Sequence, residues 1–267
     1  MSRLDRRFAQ LAAEGRKALI PFITAGDPSL EALVPVMHAS VAAGANVIEL
    51  GMPFSDPMAD GPVIQRSSER ALARGATPDY VFDAVRSFRQ RDPDTPVVLM
   101  GYLNPVEIRG PARYARQAAE AGVDGVLLVD LPPEEADEYR EAFGQAGVAL
   151  ILLLSPTTGP ERLGKLCALA SGYLYYVSFA GVIGDSGRLD AAAAGERLGL
   201  IRERAGVPVV VGFGIRDAAS ARAMGADADG GVVGSALVTA MEQAASPEAA
   251  AAAAGAFLTP LRAALDA

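Results

Sequence analysis

With 32 acidic against 24 basic side chains in 267 residues, the chain carries a net charge of −8, which argues against nucleic acid and anionic membrane as partners. Half of it is hydrophobic, yet the longest apolar run, Val148 to Leu154, is too short to cross a bilayer. The charged N-terminus is followed by no apolar core or cleavage signature, so a cytoplasmic enzyme is expected. A single cysteine, Cys167, and a single histidine, His38, exclude an internal disulfide, a soft-ligand metal site and a histidine-based nucleophile system.

In chain order, the pattern predicts a helix over 2–14, placed to cap the bottom of a barrel. Eight short apolar strands follow, near 19–24, 46–50, 96–100, 125–129, 148–154, 173–177, 208–212 and 230–234, with helical patterns between them. His38 falls on the helical stretch after the first strand and reads as a packing residue. A short helix is expected around 235–242, and the alanine-rich stretch 244–256 belongs to the closing helix. Ala43-Gly44, Ala121-Gly122, Ala146-Gly147 and Ala205-Gly206 each read as a helix end, a left-handed glycine cap and the start of a strand. Continuously apolar strands indicate a parallel sheet covered on both faces. Eight alternating units over 1–267 imply one (β/α)8 barrel domain, with a doubly wound open sheet as the alternative.

Barrel active sites lie where strands end and helices begin. At those places stand Thr24 and Asp27, then Glu49 with Asp56 and Asp60 in the loop beyond it, then Tyr102 and Asn104-Pro105, then Asp130 to Pro133. Glu49 closes a short apolar strand. An ionised carboxylate buried there is costly unless it is paired or protonated, so a raised pKa is expected of it, the alternative being an ion pair inside the barrel. Phe22, Met100, Leu127, Val129, Leu153 and Tyr175 would line an apolar pocket if their strands point inward, and each could equally be core. Three glycine-bearing turns follow the last strands: Gly181 to Gly184, Gly212-Phe213-Gly214-Ile215-Arg216 and Gly234-Ser235. Backbone N–H groups at such turns cradle phosphate. Lys17 and Lys165 are the only lysines, and neither falls at a strand end to form an imine. Carbon–carbon cleavage by acid/base groups alone remains, for a substrate that supplies its own electron sink.

The run Glu49-Leu50-Gly51-Met52-Pro53-Phe54-Ser55-Asp56-Pro57-Met58-Ala59-Asp60-Gly61-Pro62 closely resembles the signature of the tryptophan synthase alpha chain family. Segments 21–28, 130–135, 175–178 and 212–216 also fit it. The resemblance implies retro-aldol cleavage of indole-3-glycerol phosphate to indole and glyceraldehyde 3-phosphate, with Glu49 and Asp60 catalytic. It implies an indole pocket of Phe22, Met100, Tyr102, Leu127, Val129, Leu153, Tyr175 and Ile183, with Tyr175 positioning both the glycerol chain and Glu49. Phosphate would be held by Gly184, Gly212, Phe213, Gly214, Gly234 and Ser235. It further implies a beta-chain partner that holds the pyridoxal phosphate, in an alpha2beta2 assembly, met through Pro53, Asp56, Asn104, Pro105, Asp130 and Pro132; no cofactor or metal is implied in this chain. One position departs from the pattern: where the family usually has a threonine whose hydroxyl bonds the catalytic aspartate, this chain has Ile183. A free-standing lyase of another pathway, a binding homologue that activates a beta chain with little turnover, and a different phosphate-binding barrel are the alternatives.

Overall fold

A computed structural model describes residues 1–177, 189–212, 214–225 and 227–267. The strands are β1 (Ala18–Thr24), β2 (Ile48–Gly51), β3 (Val97–Gly101), β4 (Gly125–Leu128), β5 (Ala149–Leu154), β6 (Leu174–Val177), β7 (Val209–Gly212) and β8 (Gly230–Val233). All neighbours pair in parallel. β8 returns to β1 with Ala18 opposite Gly230 and Pro21 opposite Val233, so the sheet closes and the open-sheet alternative falls. Glycine is required where β8 meets β1, because a Cβ on Gly230 would press into Ala18.

The helices are α1 (Arg3–Ala13), α2 (Leu33–Ala42), α3 (Pro62–Ala73), α4 (Pro78–Arg89), α5 (Leu103–Arg109), α6 (Pro111–Ala121), α7 (Ala136–Gln145), α8 (Pro160–Leu169), α9 (Leu189–Arg204), α10 (Ala218–Gly225), α11 (Ser235–Met241) and α12 (Pro247–Leu265). The sequence punctuates them locally. Ser2 and Asp5 form a reciprocal capping box on α1, Thr77 and Ser246 cap α4 and α12, and prolines open α3, α4, α6, α8 and α12. Gly122 ends α6 in the left-handed conformation at φ 92°, as the Ala-Gly pattern predicts. Gly206 departs from that expectation and reaches β7 without a positive φ. The connections after β2 and β3 each contain two helices, which puts α3 directly behind the Asp60 loop.

Two apolar layers result. Between sheet and helices lies the larger core, where His38 on α2 packs its ring 4.8 Å from that of Phe88. Inside the barrel, Ile20, Val98, Leu127, Ile151, Tyr173 and Val210 meet Leu4, Phe8 and Leu11 of α1, so that helix plugs the N-terminal end. Asn46, expected to begin β2, lies just before it. Its side-chain oxygen accepts from the Leu19 N–H at 2.9 Å and from Arg262 at 3.1 Å, fixing the bottom of the barrel.

Candidate functional site

Glu49 is the second residue of β2, which ends at Gly51, and it points into the barrel with no solvent exposure. Oε2 accepts a hydrogen bond from the Tyr173 hydroxyl at 3.2 Å, whereas Oε1 is buried without a partner among the described residues. Burial pushes the carboxyl up from 4.5 to about 8. The hydrogen bond from Tyr173 opposes that shift and the nearby Asp60 charge adds to it. Glu49 is therefore largely protonated at neutral pH, and the raised pKa expected from the sequence is present without an ion pair among the described residues.

Asp60 ends the loop from β2, one residue before the Gly61 cap of α3. The Tyr102 hydroxyl donates to Asp60 Oδ2 at 3.0 Å and accepts the Ala59 N–H at 3.0 Å. Phe54 stacks on the same ring at 5.1 Å. Partial burial raises the proton affinity of Asp60 and the bond from Tyr102 lowers it. One phenol thus fixes the loop backbone and the carboxylate together.

Both carboxyls open on one cavity of about 1180 Å³ at the C-terminal ends of the strands. Of the expected wall, Phe22, Met100, Val129, Leu153 and Tyr175 line it. Two do not. Leu127 is sealed in the interior cluster, and Tyr102 stands behind Asp60 as its brace. Ile64, Ile151 and Val232 line the cavity and were not singled out from the sequence. The strand pair could have been found by period-two alternation, since Ile151 shares a face with Leu153 and Val232 with Gly234. Ile64 sits on α3, where reading strand ends gives no signal. Tyr173 was missed for the same reason as Ile151: it shares the inward face with Tyr175, and it makes a hydrogen bond to Glu49, whose positioning was expected of Tyr175. Burial, with the nearby Glu49 and Asp60 charges adding to it, holds the Tyr175 phenol well above the usual value.

On the β7–β8 side, Gly214, Gly234, Ser235 and Arg216 line the same cavity. Among the described residues, a Cβ on Gly214, at φ 92°, would meet nothing within 4 Å, and one on Gly234 would reach no nearer than 3.8 Å to Phe22. Gly212 is different: its Cβ would collide with the Tyr175 phenol, so close packing already requires glycine there. Ile183, Gly184 and Phe213 lie outside the described residues. Lys165 is exposed on α8 and paired with Glu161, away from the cavity lining.

Pro53, Asp56, Asn104, Pro105, Asp130 and Pro132 all reach the rim above β2, β3 and β4, none of them buried. Asp130 Oδ1 accepts the Leu103 N–H at the start of α5 at 2.8 Å, tying two of those loops together. Met58 and Ile108, 85% and 81% exposed, belong to the connections after β2 and β3 and leave apolar surface there.

Residues 8–265 match the family model described as tryptophan synthase alpha chain. A curated tryptophan synthase alpha chain from Xanthomonas oryzae pv. oryzae (strain PXO99A) is 68% identical over 266 residues, covering 100% of this chain and 99% of its own. One from Xanthomonas campestris pv. campestris (strain B100) is 66% identical over 265 residues, covering 99% and 97%. The crystal structure of the tryptophan synthase alpha subunit of Legionella pneumophila superposes with a TM-score of 0.91 at 45% identity, covering 100% of this chain and 99% of that one. A chain in the aminoacrylate-bound form of tryptophan synthase from M. tuberculosis gives 0.88 at 34% identity, covering 99% and 100%.

Proposed function

Because this chain belongs to the tryptophan synthase alpha chain family, whose members cleave indole-3-glycerol phosphate in tryptophan biosynthesis, we propose that Glu49 and Asp60 carry that cleavage here. The chain is a lyase needing no cofactor of its own, since the pyridoxal phosphate is on the beta chain with which the alpha chain forms a complex. One observation carries the assignment of roles: a fully buried, largely protonated carboxyl with one oxygen unpartnered among the described residues shares a cavity with a second carboxylate braced by Tyr102.

Glu49 gives its proton to indole C3 and, as the bond from C3 to the side chain breaks, takes up the proton of the adjacent hydroxyl. The hydroxyl carbon becomes the aldehyde of glyceraldehyde 3-phosphate, C3 keeps its new hydrogen, and Glu49 ends protonated as it began. Asp60 accepts the indole N–H and stabilises the positive charge that C3 protonation creates. The apolar wall keeps water from the ring, and Tyr175 positions the glycerol chain. Gly214, Gly234 and Ser235, completed by Gly184, Gly212 and Phe213, hold the phosphate through backbone N–H groups. Among the described residues, an added Cβ would clash with nothing at Gly214 or Gly234, both of which line the cavity, and this supports the reading.

The rim formed by Pro53, Asp56, Asn104, Pro105, Asp130 and Pro132 is the beta-chain surface in an alpha2beta2 assembly. The exposed Met58 and Ile108 on the same connections support that placement. Residues 1–267 act as one barrel domain, a reading supported by β1–β8 closure and by the packing of α12 against α2. Cytoplasmic action fits a chain in which no described helix is long and apolar enough to cross a membrane. Supplying indole-3-glycerol phosphate and measuring indole and glyceraldehyde 3-phosphate, with and without a beta chain, tests the whole reading. Both products should form in equal amounts, faster with the beta chain, and failure to form either would overturn it.

A further inference from the structure

Tyr173 is buried in the barrel interior among the residues that pack on α1, just before β6, and β6 lies across the eight-stranded barrel from β2. Its ring packs 5.7 Å from that of Phe8 on the plugging helix α1, and its hydroxyl reaches across the interior to Glu49 Oε2. The two carboxyl oxygens of Glu49 are thereby made unequal: Oε2 is held from the barrel interior, and Oε1 has no partner among the described residues although it is buried in a group that lines the cavity. An unpartnered buried oxygen is costly, and a fold keeps one where a ligand will supply the missing bond.

We propose that Tyr173 is a positioning residue for the cleavage reaction, anchoring Oε2 of Glu49 so that Oε1 is the oxygen that exchanges protons with the substrate. The proposal rests on the reading of Glu49 as the acid/base group. Glu49 itself is faced by Tyr173 and Tyr175 from the β6 side and by Asp60 from the loop after β2, with Tyr102 behind Asp60. Burial and the neighbouring Glu49 hold the Tyr173 phenol well above its usual value, so it stays a donor across the working pH range.

Tyr173→Phe removes only the hydroxyl and leaves the ring on Phe8, so the test separates anchoring from packing. Relative to the native chain, kcat for indole release should fall about tenfold or more with KM little changed, the scale of a lost hydrogen bond to an ionisable group. The alkaline limb of kcat against pH should move upward, because the Tyr173 bond lowers the proton affinity of Glu49. Infrared titration of the Glu49 carboxyl, taken as the difference from Glu49→Gln, should show the same upward displacement even if turnover is too slow to follow. Native kcat and an unmoved carboxyl titration in Tyr173→Phe would overturn the proposal while leaving Glu49 catalytic. Native turnover in Glu49→Gln would instead remove the premise, and the two failures are read from different variants.

Discussion

Replacing Glu49 by Gln should stabilise the fold in a pH-dependent way, at the cost of activity. Below pH 4.5 the native carboxyl is protonated in both folded and unfolded chains and contributes no pH dependence. Between 4.5 and about 8 the unfolded chain releases the proton while the folded one keeps it. The folded state then binds more protons, so stability falls as pH rises, and the deficit is complete above about 8. At about 1.4 kcal/mol per pH unit, this amounts to roughly 3 kcal/mol at pH 7 and about 5 kcal/mol at full ionisation. Glutamine has nearly the same shape and titrates in neither state. Its amide loses about 1–3 kcal/mol if one of its groups stays unbonded, but that loss does not vary with pH. Urea unfolding of both forms at pH 5, 7 and 9 should therefore show the stability difference, variant minus native, climbing steadily with pH. A difference that is flat from pH 5 to 9 would refute the claim that Glu49 is buried with a strongly raised proton affinity.

Removing the Tyr102 hydroxyl by Tyr102→Phe should lower kcat roughly tenfold or more through loss of the bond to Asp60. The acid limb of the pH profile should move upward, because that bond lowers the proton affinity of Asp60; an unmoved limb would show that the brace is not felt in turnover. Gly234→Leu should raise KM sharply and weaken inhibition by glycerol phosphate while leaving the unfolding temperature near native, since the nearest described atom to a Cβ there, on Phe22, is 3.8 Å away. Unchanged affinity would move the phosphate elsewhere. Asp27 is buried and forked by Arg70 at 2.8 Å on both oxygens, with Arg74 at 3.3 Å. Asp27→Ala should cost about 2–3 kcal/mol after allowing for the partly exposed arginines, a loss readable as a lower unfolding temperature.

The barrel was legible because each strand is a short apolar run set off by glycine or proline, and every strand boundary falls within two residues of its expected place. Glu49 and Asp60 were legible as carboxylates where only apolar or turn residues are otherwise needed. What escaped was pairing across the barrel. Tyr173 and Glu49 are separated by 124 positions, and only closure of the sheet brings β6 opposite β2. Leu127 and Tyr102 were placed on the wall because strand-end position says which residues are near the cavity but not which layer each side chain fills. Gly212 was placed in the phosphate cradle by its motif, and its contact with Tyr175 gives it a packing role that the motif alone does not reveal.

Indole release from indole-3-glycerol phosphate by Glu49→Gln and Asp60→Asn, each confirmed folded and compared with the native chain at one pH, tests the catalytic assignment most directly. Each substitution should reduce kcat by at least roughly 10²-fold with little change in KM, whereas turnover near native in either variant would show that the cleavage is carried by other groups.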